Sequence, residues 1–145
     1  MNIPFLDKWR ARHQAERSPL GTFFDRDPKG AAELLAECEL LRARAETAGV
    51  RLDDTPRSLG ALDQLPPRWR DDPEELPWIG NDAGLYLGTV LVRTVPGAAW
   101  RLRPDGQPVV RLASGRECDV VAAGLDWATT GTPELFQVYA EAAER

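Results

Sequence analysis

The stretch GNDAGLYLGTVLVRTVPGAAW, from Gly80 to Trp100, constrains the fold more than any other, because Gly80, Gly84 and Gly88 recur every four residues in an apolar run. On a helix, residues four apart share one face, so these glycines would make a groove bare of side chains that a second element could enter. Each interior glycine costs about 1 kcal/mol relative to alanine, and several together need a compensating contact. The spacing therefore predicts a central, glycine-faced helix near 81–95, with Asn81 or Asp82 as its cap and Leu85, Leu87, Leu91 and Val95 leaving little polar surface. A strand is the competing reading, since LYLGTVLVRTV is rich in β-branched residues.

A ligand cradle fits the same glycines less well. A dinucleotide fingerprint needs G-x-G-x-x-G directly after a strand, so that the backbone can approach a pyrophosphate at a helix N-terminus. Here the spacing is G-x-x-x-G-x-x-x-G after a proline-broken segment. A phosphate loop would also end in Gly-Lys-Ser/Thr, and no lysine follows Lys29.

The chain has 145 residues, 43% hydrophobic and 28% charged, which suits one domain with a core of its own. Its net charge of −5 is the wrong sign for a phosphate backbone, so nucleic acid is not an expected partner. The charge is uneven. Residues 1–17 hold Lys8, Arg10, Arg12 and Arg17 against Asp7 and Glu16, whereas Asp53 to Asp82 carries eight carboxylates against Arg57, Arg68 and Arg70. Cys38 and Cys118 make neither a metal-ligand spacing nor a disulfide framework, and no signal-peptide pattern precedes them, so a cytoplasmic setting is expected. The longest apolar run falls well short of the ~20 residues that span a bilayer.

Residues 1–25 read as an amphipathic arm and connector, with Phe5 and Trp9 one helical turn apart before Pro19 and Gly21; residues 26–145 read as a single α+β domain. In that domain one helix is predicted from Asp27-Pro28 to Gly49, with Ala31, Leu34, Leu35, Cys38, Leu41 and Ala45 as its core stripe and Glu33, Glu37, Arg42, Arg44 and Glu46 mainly on the other side. A shorter helix follows over about Arg57 to Leu65. Trp69, Leu76, Trp78 and Ile79 then alternate with Asp71, Asp72, Glu74 and Glu75, while Pro73 and Pro77 argue against regular structure: an ordered acidic loop pinned by tryptophans. After the glycine helix, AAWRLRP and PVVRLAS flank Asp105-Gly106 as a hairpin, Ser114-Gly115 turns into a third strand over Glu117 to Val120, and two helices close the chain, Thr132-Pro133 starting the second. The expected fold class is α+β, with several helices packed on a small antiparallel sheet of two or three strands.

His13 is the only histidine and lies in the basic arm, so no histidine-based triad or metal cluster can form within one chain. Asp71, Asp72, Glu74 and Glu75 lack the spacing of a calcium loop and read as a solvated acidic face. Ser114 to Asp119 gathers a serine, a cysteine and acids with no base for a nucleophile, and reads as a turn and a strand edge. No catalytic residue, cofactor or metal is expected. Of the tryptophans, Trp69, Trp78, Trp100 and Trp127 are assigned mostly to the core, while Trp9, on a helix too short to persist alone, must dock on its own domain, a partner or a membrane.

The segments ECELLRARAETAGVRLDD, LPPRWRDDPEELPWIGNDAGLYLGTVLVRTVPGAAWRL and PVVRLASGRECDVVAAGLDWATTGTPEL, with the MNIPFLDKWR start, resemble an uncharacterised family of small proteins from high-GC actinobacteria. They are also similar to wider α+β families in which a G-x-Y-x-G helix leads to a tryptophan-bearing strand; Gly84, Tyr86, Gly88 and Trp100 match. The resemblance implies the fold and a cytoplasmic bacterial setting, and supplies no mechanism.

The function expected is that of a non-enzymatic protein-binding or adaptor protein. Its contacts would be Phe5, Leu6, Trp9 and Arg10 of the arm and Trp69, Asp71, Asp72 and Trp78 of the acidic loop. A peripheral membrane protein using the arm is the alternative, an enzyme of Asp/Glu chemistry the third reading, and docking of the arm on a second copy would give a homodimer.

Overall fold

The glycine stretch is a helix in the computed structural model, which describes residues 25–65 and 72–144. In chain order the elements are α1 (Pro28–Leu35), α2 (Glu39–Thr47), α3 (Pro56–Asp63), α4 (Leu76–Thr94), β1 (Ala99–Leu102), β2 (Pro108–Arg111), β3 (Glu117–Cys118), α5 (Val120–Thr130) and α6 (Leu135–Ala143). The class is α+β, with the helices around a three-stranded antiparallel sheet ordered β1-β2-β3. The expected arm at residues 1–25 lies outside the described residues apart from Asp25, as do Trp69 and Asp71.

α4 starts earlier than the sequence reading has it. Pro77 sits in its first turn, where a missing N–H costs nothing, so Trp78 and Ile79 are helical and do not belong to the expected loop. Neither Asn81 nor Asp82 caps it: the N-cap position is Glu75, with Asp72 Oδ1 accepting the Glu74 and Glu75 N–H groups at 3.1 and 3.3 Å just before.

The single helix expected from Asp27 to Gly49 is two. Asp27 caps α1 as predicted, accepting the Gly30 N–H at 2.9 Å, but the helix stops at Leu35 and restarts after Cys38, whose φ is +41°. Two side chains absorb the break. Asp82, buried on α4, accepts the Leu41 N–H of α2 at 3.1 Å, and the Arg42 guanidinium donates to the carbonyls of Ala36 (3.0 Å) and Glu37 (3.1 Å). Of the expected stripe, Ala31, Leu35, Cys38, Leu41 and Ala45 are buried and Leu34 is half-buried, so the periodicity largely holds although the backbone between its halves changes.

Around α4 the packing is that of backbone on backbone. A Cβ on Gly84 would strike the Val120 carbonyl and lie 2.6 Å from Val121 Cα; one on Gly80 would lie 3.0 Å from Leu125 Cα. α5 answers with Gly124, where a Cβ would lie 2.6 Å from Gly84 Cα. Gly88 faces the Trp100 indole of β1. The strands turn where expected, at Asp105-Gly106 and Ser114-Gly115, with φ of +88° and +92° at the glycines. β3 is shorter than expected, because Asp119 caps α5 by accepting the Ala122 N–H at 3.1 Å and Val120 is already helical. Thr132 does not cap α6: that helix begins at Leu135, and its first N–H groups, Leu135 and Phe136, donate to the Asp63 carboxylate of α3 at 2.9 and 3.0 Å.

Candidate functional surface

Several polar side chains among the described residues tie elements of the fold together. Glu75 is buried and paired through both carboxylate oxygens with Arg44, tying the start of α4 to α2. That corrects the reading of the acidic run as wholly solvated: Glu75 is interior and half-buried Asp72 caps a turn. Arg42 and Arg44, expected on the outer side of their helix, are likewise half-buried by these pairings. Tyr86 is fully buried. Its hydroxyl accepts the Asp54 N–H at 2.8 Å and lies 2.6 Å from Ser58 Oγ, whose own hydrogen goes to the Thr55 carbonyl at 2.6 Å, so Tyr86 donates to Ser58. The Arg42 guanidinium carbon stands 5.2 Å from the centroid of the tyrosine ring and, with Arg93, clamps Asp54, a residue at φ +64°. Tyr86 and Asp54 together pin the 50–55 segment to α4.

Asp82 is the functional-looking residue that the sequence reading took for an ordinary cap. It is 1% exposed, and loss of hydration pushes its pKa up to about 7 against the opposing pull of the Leu41 and Leu40 N–H groups. Burial also pushes the Cys38 thiol well above its ordinary value, and that sulfur lies 3.4 Å from the Asp82 carbonyl oxygen. A buried thiol of raised pKa is a poor nucleophile. The only signal for Asp82 in the sequence was an acid two residues past Gly80, which reads equally as a cap.

The other predicted positions divide cleanly. Gly84, Gly88 and Trp100 meet their close-packing roles, and Trp78 is half-buried against the core from the first turn of α4. Phe5, Leu6, Trp9, Arg10, Trp69 and Asp71 lie outside the described residues. Between α4, the first hairpin and the start of α5 there is a crevice of about 230 Å³ with an apolar floor of Leu85, Pro108 and Val121 and a rim that includes Asn81, Asp105 and Gln107. It is smaller than the ~300–1,000 Å³ typical of small-molecule sites.

The described surface also exposes apolar side chains. Leu125 and Phe136 are its exposed large hydrophobic side chains, at 37% and 44%. On α6, Leu135 and Ala142 face the core, while Phe136, Ala140 and Ala143, at i, i+4 and i+7, form a second stripe that is exposed. Tyr139 borders it, its ring 6.2 Å from that of Phe136 and its hydroxyl 2.8 Å from Thr94 Oγ1.

A family model covers this whole architecture, matching residues 1–145. The chain belongs to the family of unknown function DUF6278. No curated protein and no solved structure matches this DUF6278 chain. No helix among its described residues is long and apolar enough to cross a membrane.

Proposed function

We propose that this DUF6278 protein is a non-enzymatic protein-binding or adaptor protein and that the outer face of α6 is a contact surface for its partner. The observation that carries the reading is the stripe of Phe136, Ala140 and Ala143 left exposed on a helix whose opposite face is already packed. A helix apolar on two faces normally has neighbours on both. The acidic groups favour the same reading, because Glu75, Asp72, Asp63 and Asp119 are each engaged with a guanidinium or with backbone N–H groups.

Phe5, Leu6, Trp9 and Arg10, with Trp69, Asp71, Asp72 and Trp78, remain part of this proposal as further contacts, and the setting proposed with them is the cytoplasm of an actinobacterial cell. Tagged full-length protein and its Phe136→Glu variant, compared for stoichiometric partners recovered from the native host, test the α6 surface. A partner retained equally by both rejects it. Recovery only in the membrane fraction, with flotation on anionic vesicles at low salt, would instead favour membrane association.

A further inference from the structure

The α6 stripe has a complement within the same chain. We propose that residues 3–17 dock on the Phe136, Ala140 and Ala143 face of their own chain and cover it until a partner displaces them, an inference that rests on reading α6 as the contact surface. Shape supports it first. Apolar residues occupy roughly 200° of the α6 wheel, about twice the stripe that core packing needs, and the surplus ends in two alanines that leave a shallow floor beside Phe136. Large rings are what such a floor lacks, and Phe5 and Trp9 recur one helical turn apart in the arm.

Charge supports it independently. α6 and the residues leading into it, 132–144, carry Glu134, Glu141 and Glu144, the Asp63 carboxylate sits at the helix start, and the one guanidinium seen against the helix among the described residues is that of Arg116, which donates to the Glu141 carbonyl at 3.4 Å. The arm sets Lys8, Arg10, Arg12 and Arg17 against only Asp7 and Glu16. The opposite signs of the two segments favour their association beside the apolar stripe. Tethering through the connector raises the effective concentration to the millimolar range, so a contact too weak between separate molecules still forms within one.

Amide spectra of the full chain test the docking reciprocally. Trp9→Ala should shift the α6 amides, Leu135 to Ala143, beyond the spread seen over the rest of the domain, and Phe136→Ser should shift residues 3–17. Arg10→Glu with Arg12→Glu, which spares the apolar contacts, should shift the same α6 amides less. Unchanged α6 amides in Trp9→Ala, or an unchanged arm in Phe136→Ser, would overturn the proposal. So would a dimer that Trp9→Ala converts to monomer, since the arm would then belong to a second copy. These readouts need no partner. Partner recovery indifferent to Phe136 would sink the functional reading and leave reciprocal shifts standing, whereas missing shifts with Phe136-dependent recovery would sink the docking alone.

Discussion

The seam between α4 and α5 and the outer face of α6 are both made by small residues on helices, yet one is sealed and the other bare. At the seam Gly80, Gly84 and Gly124 let two backbones meet, and a Cβ added at Gly84 or Gly124 would collide with main chain. On α6, Ala140 and Ala143 are exposed. Small residues therefore serve opposite ends in one molecule: close approach where the neighbour is fixed, and an open floor where the neighbour can be exchanged. Stability should depend steeply on the first and hardly at all on the second.

The largest effect expected is at Gly84. Alanine improves helix propensity by about 1 kcal/mol, but its Cβ would lie on the Val120 carbonyl and 2.6 Å from Val121 Cα, neither of which can rotate aside. Gly84→Ala should cost more than about 4 kcal/mol, read as loss of the cooperative urea transition. Gly60 of α3 is the control. A Cβ there meets nothing within 4 Å, so Gly60→Ala should stabilise by about 0.5–1 kcal/mol. If Gly84→Ala behaved like Gly60→Ala, the seam would not be as tight as drawn.

Asp82 gives the next effect, with a definite sign. Its folded pKa, about 7, lies above the ordinary 3.8, so the stability it contributes is complete below pH 3.8 and is lost as pH rises through 7. Between about pH 5 and pH 8 that amounts to roughly 2.5 kcal/mol. Asp82→Asn keeps an oxygen to accept the α2 N–H groups and removes the titration. Urea midpoints of the two proteins should therefore converge or cross as pH rises, and a constant difference across that window would show that the carboxylate stays ionised throughout.

Asp63 offers a smaller effect on the other side of the comparison. Its carboxylate caps α6 from α3, and Asp63→Ala should cost about 1 kcal/mol while speeding hydrogen exchange at Leu135 and Phe136 first. An unaltered exchange rate at those two amides would mean that the cap is idle.

These two aspartates show where the sequence was legible and where it was not. Periodicity found α4, the hairpin, both turns and the stripe through Leu35, Cys38, Leu41 and Ala45, because burial repeats along the chain that creates it. It missed the break at Cys38 and the true start of α6 for one shared reason. Both helix starts are capped by a carboxylate from another element, Asp82 for α2 and Asp63 for α6, 41 and 72 residues away from the amides they serve. A local pattern can register a capping residue only when it sits beside its helix. Pro77 misled the other way, since a proline in the first turn of a helix and a proline in a loop look alike until the partner helix is known. The α6 surface was missed because PELFQVYAEAAER reads as an ordinary closing helix; nothing in the string says which of its two apolar faces is covered.

Phe136 carries the smallest stability effect and the most pointed one for function. Its side chain is 44% exposed and its ring centroid lies 6.2 Å from that of Tyr139, so Phe136→Ser should move the unfolding free energy by no more than about 0.5 kcal/mol. A purely structural residue cannot separate stability from binding in this way. If Phe136→Ser keeps the urea midpoint and loses the partner, the bare face of α6 is an interface and the contrast with the glycine seam is one of purpose. A loss of several kcal/mol would instead place Phe136 in the same category as Gly84, a residue kept for packing, and α6 would cease to be a surface awaiting a neighbour.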